Sequence, residues 1–146
     1  MNWPGRLRPR VADPEPHYDD LLGDVTDFLL DRAARAEAAG LAPDQIALDA
    51  GLDLGKTPAQ SAVLLRESDA LASHGYTLLL SSSNKRFLGE LLELDIDARR
   101  SASLATVAYG VAHGCRIVRV HDVRGSARVC CVIEAILQTR RRPEVR

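Results

Sequence analysis

Net charge, aromatic side chains and long apolar runs are all scarce in this chain. Its 146 residues carry 19 Lys plus Arg against 20 Asp plus Glu, a formal net charge of -1, so there is no global field to hold a polyanion. Aromatic residues make up 4%, and Trp3, Tyr18, Phe28, Tyr76, Phe87 and Tyr109 are too scattered for a base-stacking platform. Nucleic acid is therefore discounted as a partner. No stretch approaches the roughly 18 consecutive apolar residues of a membrane-spanning helix. The amino-terminal residues mix Pro, Arg and Asp where a signal peptide would have an apolar core. Cys115, Cys130 and Cys131 are odd in number and two are adjacent, which fits neither a disulfide framework nor a CxxC metal pair. His17, His74 and His113 add no metal-ligand spacing. These absences predict a cytoplasmic domain with reduced, mostly buried thiols, no membrane association and no metal cage of its own.

What is present suits one compact domain: 46% of the chain is apolar, enough to bury roughly two-thirds of the chain's surface. Residues 1–16, rich in Pro and Arg, read as a loop, and 140–146 read as a basic tail. Between them, residues 17–139 alternate two periodicities. Tyr18, Leu21, Leu22, Val25, Phe28 and Leu29 fall at helical spacing, in a helix that stops near Gly40. A strand over 45–49 follows, then a loop. Thr57-Pro58 caps a helix running to about His74. Gly75 ends that helix and Tyr76 to Leu80 has strand length. Asn84 to Leu94 reads as a helix with Phe87, Leu88, Leu91 and Leu92 inward, and Ala98 to His113 as a second helix able to pack closely. Cys115 to Val120 is the third strand. Gly125 to Gln138 is the last helix, with Val129, Val132, Ile133, Ile136 and Leu137 on its buried side. With no hairpin signal, the class is α/β: about three parallel strands with right-handed crossover helices. A closed barrel takes eight strands, so a sheet of three is incomplete, with unpaired outer edges.

Each apolar run ends in a polar cluster. Asp49 closes the first, as a turn-former or as a carboxylate able to accept a two-pronged hydrogen bond from a guanidine-like heterocycle edge. The loop Gly51 to Lys56 resembles a phosphate loop, but three residues separate its glycines where that motif needs four; a strand-to-helix turn explains the glycines. Ser81 to Arg86 precedes a helix. Its hydroxyls and amides suit either simple capping or a carboxylate or phosphate, with Lys85 donating to a ring and Arg86 pointing to solvent. Arg119 and His121 alternate onto one face of a strand. They match a pyrophosphate, or else pair locally, Arg119 with a carboxylate such as Asp49 or Asp122.

Together the three clusters resemble the dihydropteroate synthase family, pterin-binding TIM-barrel enzymes of folate synthesis. Asp49-Ala-Gly-Leu-Asp-Leu-Gly-Lys-Thr57 is similar to the family's Asp-Pro-Gly...Gly-Lys-Thr loop. Ser83-Asn-Lys-Arg-Phe-Leu-Gly89 resembles its Ser-Arg-Lys...Phe-(Ile/Leu)-Gly segment, Arg119-Val-His-Asp-Val123 its closing Arg-x-His-Asp-Val, and Met1-Asn-Trp3 the end of its fifth strand. The resemblance implies a transferase in which the amine of p-aminobenzoate displaces pyrophosphate from 6-hydroxymethyl-7,8-dihydropterin diphosphate, commonly with Mg2+ on the leaving group. By position it assigns Asp49 and Lys85 to the pterin, Ser83 to p-aminobenzoate, and Arg119 and His121 to the diphosphate; Mg2+ ligands are not among these residues. Asn84 stands where the family has arginine, Leu54 where it has an aromatic and Ala50 where it has proline, and these departures bear on the second substrate. The family's earlier strands have no counterpart here, so activity is expected only where they are supplied. The alternative is a non-catalytic pterin-binding or assembly protein that pairs through open sheet edges with itself or a longer relative.

Overall fold

The computed structural model describes residues 17–139; the loop at 1–16, with Met1-Asn-Trp3, and the tail at 140–146 lie outside the described residues. Asp20 accepts from the Gly23 amide at 3.0 Å and opens helix α1, Leu21–Ala38. One residue per turn, Val25, Leu29 and Ala33, goes to the core. Gly40, at φ 100°, turns the chain away. A 3-10 turn at Pro43–Gln45 takes the start of the expected strand, leaving β1 as Ala47–Asp49. Thr57 then caps α2, Pro58–Arg66, reciprocally: Gln60 N donates to Thr57 Oγ1 and Thr57 N to Gln60 Oε1.

The helix expected to continue to His74 breaks at Glu67 (ψ 23°) and restarts as α3, Ser68–Ala72. Ser68 Oγ donates to the Leu65 carbonyl at 2.7 Å, a local bond that competes with the helical ladder. Next come β2 (Thr77–Leu80), α4 (Arg86–Leu92), a 3-10 turn at Ile96–Ala98, α5 (Arg100–Ala112), β3 (Cys115–Val118) and α6 (Val123–Thr139). The third strand therefore stops two residues short of the expected Val120, although Arg119 N still donates to Leu80 O at 2.8 Å.

The three strands are parallel in the order β1-β2-β3. Leu48, Leu78, Leu80 and Cys115 are buried on the face that the helices cover. Gly110 allows the close approach of α5, since a Cβ there would lie 2.5 Å from Leu80 Cδ2. Register aligns Asp49, Leu79 and Ile117 on the opposite face, which no described helix covers; Ile117 is 43% exposed. Among the described residues the sheet is covered on one side and both outer edges are open, as in an arc of a barrel.

That geometry corrects three expectations. Leu91 and Leu92 are 53% and 54% exposed, because α4 ends at Leu92 and Glu93 turns away in the left-handed conformation. On α6, Val132 and Ile136 are 58% and 50% exposed, since the helix overhangs the open edge of β3 and no further described strand lies beneath it. Of the thiols only Cys115 is buried; Cys130 is half-buried and Cys131 exposed on the same overhanging helix.

Urea denaturation should separate the two apolar populations. Leu64→Ala, at a core position 1% exposed, should cost about 2–5 kcal/mol. Val132→Ser should stay within about 0.5 kcal/mol of the parent. An equal loss at Val132 would show that α6 is packed in solution.

Candidate functional site

Parallel strands place all their carboxyl ends on one rim, and the polar clusters are gathered there. Asp49 ends β1 half-buried. Its Oδ1 accepts from Gly51 N at 2.8 Å, so it does form the turn, and the carboxylate retains acceptor capacity for a ligand. The loop runs through left-handed conformations at Gly51, Asp53 and Gly55, with φ of 69°, 62° and 61°. Its amides are used internally: Asp53 N donates to Ser61 Oγ, Leu54 N to Gly51 O and Thr57 N to Gln60 Oε1. These amides are not free to cradle a phosphate, and Tyr18 OH latches the loop through Gly55 O at 3.0 Å.

The chain's two lysines both lie here. Lys56, 5% exposed, is folded back beneath the loop, donating to Gly51 O at 3.2 Å and Leu54 O at 3.1 Å. Burial lowers its pKa from 10.5 to about 8, with Asp49 opposing and Lys85 adding to the shift. Lys85, the residue before α4, reaches across to Leu52 O at 2.9 Å. Neither Lys56 as a support for the loop nor Asp53 emerged from the sequence. Lys56 had a signal, a lysine just before an N-cap and next to a glycine turn; Asp53, between two leucines, had none.

Asp53 accepts from the amides of Arg86 and Phe87 at the start of α4. The helix-start amides that suited an external carboxylate are thus occupied from within. Arg86 itself points outward and pairs with Glu90, its side chain 64% exposed.

The second cluster is built on β2's exit. Ser81, Ser82 and Ser83 are all buried. Ser82 Oγ shares a 2.7 Å bond with Thr106 Oγ1, and Asn84 N donates to Ser103 Oγ at 3.0 Å, fixing the segment to α5. Arg119 and His121 lie beyond the end of β3, so strand alternation does not align them. Side-chain bonding to the serines does. Arg119 Nη2 donates to Ser81 Oγ at 2.7 Å, while His121 N donates to Ser83 Oγ at 3.2 Å and His121 Nδ1 lies 3.0 Å from the same oxygen. When Ser83 accepts the amide and donates to Nδ1, the imidazole proton sits on Nε2, available to an anion. Asp122 does not pair with Arg119. It bonds Gly125 N and pairs with Arg100 at 2.7 Å, and these contacts, the amide first, hold its carboxyl below the ordinary range. A cavity of about 280 Å³ opens beside Ser83, Asn84, Arg100 and His121. Among the described residues no three His, Cys, Asp or Glu side chains converge as a metal cage, and no helix is long and apolar enough to cross a membrane.

A one-sided parallel sheet with its polar loops on the carboxyl rim has the architecture of a sector of a TIM barrel. The chain belongs to the family described as pterin binding enzyme, whose profile matches residues 1–121. Dihydropteroate synthase of Neisseria meningitidis serogroup C is 41% identical over 130 residues, 88% of this chain and 46% of that protein. A Mycobacterium leprae protein named inactive dihydropteroate synthase 2 is 38% identical over 122 residues, 84% of this chain and 40% of that protein. The crystal structure of dihydropteroate synthase from Stenotrophomonas maltophilia superimposes with a TM-score of 0.84 at 36% identity, over 90% of this chain and 50% of that one. The chain spans about half the length of these relatives.

Lys56 gives the rim a pH signature. Its folded pKa, about 8, lies below the ordinary 10.5, so between those values the unfolded state binds more protons and stability rises with pH. The gain by pH 10 should approach about 3 kcal/mol. Thermal melts of the parent and of Lys56→Met between pH 7 and 10 should differ in slope, the rise being absent from the variant; parallel slopes would place the ammonium in water.

Proposed function

We propose that this chain forms one side of a dihydropteroate synthase site, where p-aminobenzoate displaces pyrophosphate from 6-hydroxymethyl-7,8-dihydropterin diphosphate. The observation that carries this reading is the gathering of Asp49, Lys85, Ser83, Arg119 and His121 on one rim, in a chain of the pterin-binding family. Asp49 accepts N–H groups from the amino-pyrimidine edge, a charge-assisted pairing that selects donor pattern and shape, and Lys85 donates to the ring. Arg119 and the Nε2 proton of His121 stabilise charge as the carbon–oxygen bond to pyrophosphate breaks. Ser83, joined to His121, lines with it and Asn84 the cavity where we place p-aminobenzoate. Mg2+ prefers phosphate oxygens and water, and the described residues supply no cage for it. We therefore assign it to the diphosphate and derive no step through it. The setting we propose is the cytoplasm, consistent with free thiols. Three strand ends make one side of the site, and turnover requires the remaining strand ends of a barrel to close it from water.

Calorimetry with the pterin diphosphate should give heat with the parent chain. Affinity should weaken at least ~10-fold in Asp49→Ala, which loses a charge-assisted bond. No dihydropteroate should form from the chain alone. Absence of both heat and a melting shift would remove the site, and turnover by the unaided chain would overturn the need for further strands.

A second reading, a non-catalytic assembly protein, is favoured by one feature: the exposed stripe of α6 overhangs the open edge of β3, above a groove of about 350 Å³ lined by Val111, Val118, Cys130 and Leu137. Pairing with a second copy or a longer relative would cover both. Sedimentation should then show self-association that Val132→Lys with Ile136→Lys abolishes; a parent monomeric at every concentration would argue against self-pairing.

A further inference from the structure

We infer that Asp53 is a positioning residue that fixes where Lys85 stands relative to Asp49, a conclusion that rests on the pterin-site reading above. Asp53 sits in the loop between β1 and α2 at φ 62°, a conformation that Asp and Asn tolerate better than most residues. Its amide is anchored to the hydroxyl of Ser61, which is fully buried. Its carboxylate crosses to the next loop, where Oδ2 accepts from Arg86 N at 2.5 Å and Oδ1 from Phe87 N at 3.1 Å. Amides in the first turn of a helix have no intrahelical partner, so both are satisfied by one charge.

The grip is returned from the other side. Lys85, the residue before those two amides, donates from Nζ to the carbonyl of Leu52, the residue before Asp53. Residues 52–53 and 85–87 therefore hold each other in both directions, through a backbone-bound carboxylate one way and a backbone-bound ammonium the other. On the near side the same loop is tied to Asp49 through Gly51 N, and Lys56 braces it at Gly51 O and Leu54 O. An unbroken set of bonds thus runs from the Asp49 carboxylate to the Lys85 ammonium, and Asp53 supplies the crossing that does not depend on Lys85 itself. Without it, the loop at Leu52 would hold Lys85 only through the Nζ bond to Leu52 O, for which an approaching pterin competes, while the backbone of Lys85 stays tied to Ser82 O and Arg99.

A helix cap that only stabilises the fold would weaken every ligand in proportion to the fraction unfolded. A positioning residue would weaken the pterin selectively. The full chain and its Asp53→Ala and Asp53→Asn variants can be compared by titration with pterin diphosphate and with pyrophosphate alone. Lysine-selective isotope labelling, which gives one set of signals for Lys56 and one for Lys85, supplies an independent readout. Asp53→Ala should lose pterin diphosphate affinity roughly 10- to 100-fold and keep pyrophosphate affinity, with Lys85 resonances moving more than those of Lys56. Asp53→Asn, which keeps one acceptor and tolerates the same φ, should recover part of the loss. Parallel loss of both ligands, or unmoved Lys85 resonances, would overturn the inference. If the parent binds neither ligand, the pterin reading falls and the lysine signals decide the clamp alone: moved Lys85 signals support it, unmoved ones overturn it.

Discussion

Backbone satisfaction at the ends of parallel strands is the constraint on which this site depends. Where β1, β2 and β3 stop, the chain must leave the ladder and cross the rim with amides and carbonyls that no neighbouring strand takes up. Buried groups of this kind need partners, and here side chains supply them. Asp49 takes Gly51 N; Lys56 takes two loop carbonyls; Asp53 takes two amides of α4; Ser103 takes Asn84 N; Ser83 takes His121 N. The same demand that closes the loops brings carboxylate, ammonium, hydroxyl and imidazole groups to one place, so loop architecture and candidate chemistry share their residues.

Electrostatics divides the rim into two halves. Near β1 a carboxylate and two ammonium groups interact, and burial disfavours the charge on Lys56. Lys56 is therefore suited to bracing the loop as a hydrogen-bond donor, whereas the half-buried Lys85 is the lysine that can meet a ligand. Near β3, Arg119 bonds a neutral serine and the one carboxylate of that segment, Asp122, is held by Arg100 and Gly125 N. The positive character of Arg119 is consequently not cancelled locally. One half suits a heterocycle edge and the other an anion.

The legible parts of the sequence were those decided locally. Thr57-Pro58 marked the α2 start because its cap is complete within four residues, and Gly51 and Gly55 marked a turn because only unusual dihedrals join β1 to α2 so closely. The candidate residues Asp49, Ser83, Lys85, Arg119 and His121 could be placed on one rim because parallel strands put their carboxyl ends there, although the strand alternation expected to align Arg119 with His121 is absent. The illegible parts depend on distant partners. Nothing around Leu52 and Leu54 indicates that Asp53 will cap a helix 33 residues later. Ser68, which ends α2 early, reads as an ordinary helix residue. For α6, periodicity showed that an apolar face exists but not what covers it, and burial was expected where the described fold supplies no cover.

The segments on the rim are held chiefly by bonds among the described residues. Ser82 is tied to Thr106, Asn84 to Ser103, Asp53 to α4 and Tyr18 to Gly55, and each of these partners lies within the described residues. Bonds of this kind fix the three strand ends relative to one another within the described sector. Closure against water is different in kind, because it needs walls on every side and cannot be internal to one sector. Ligand-side geometry and closure against water therefore rest on different parts of a barrel.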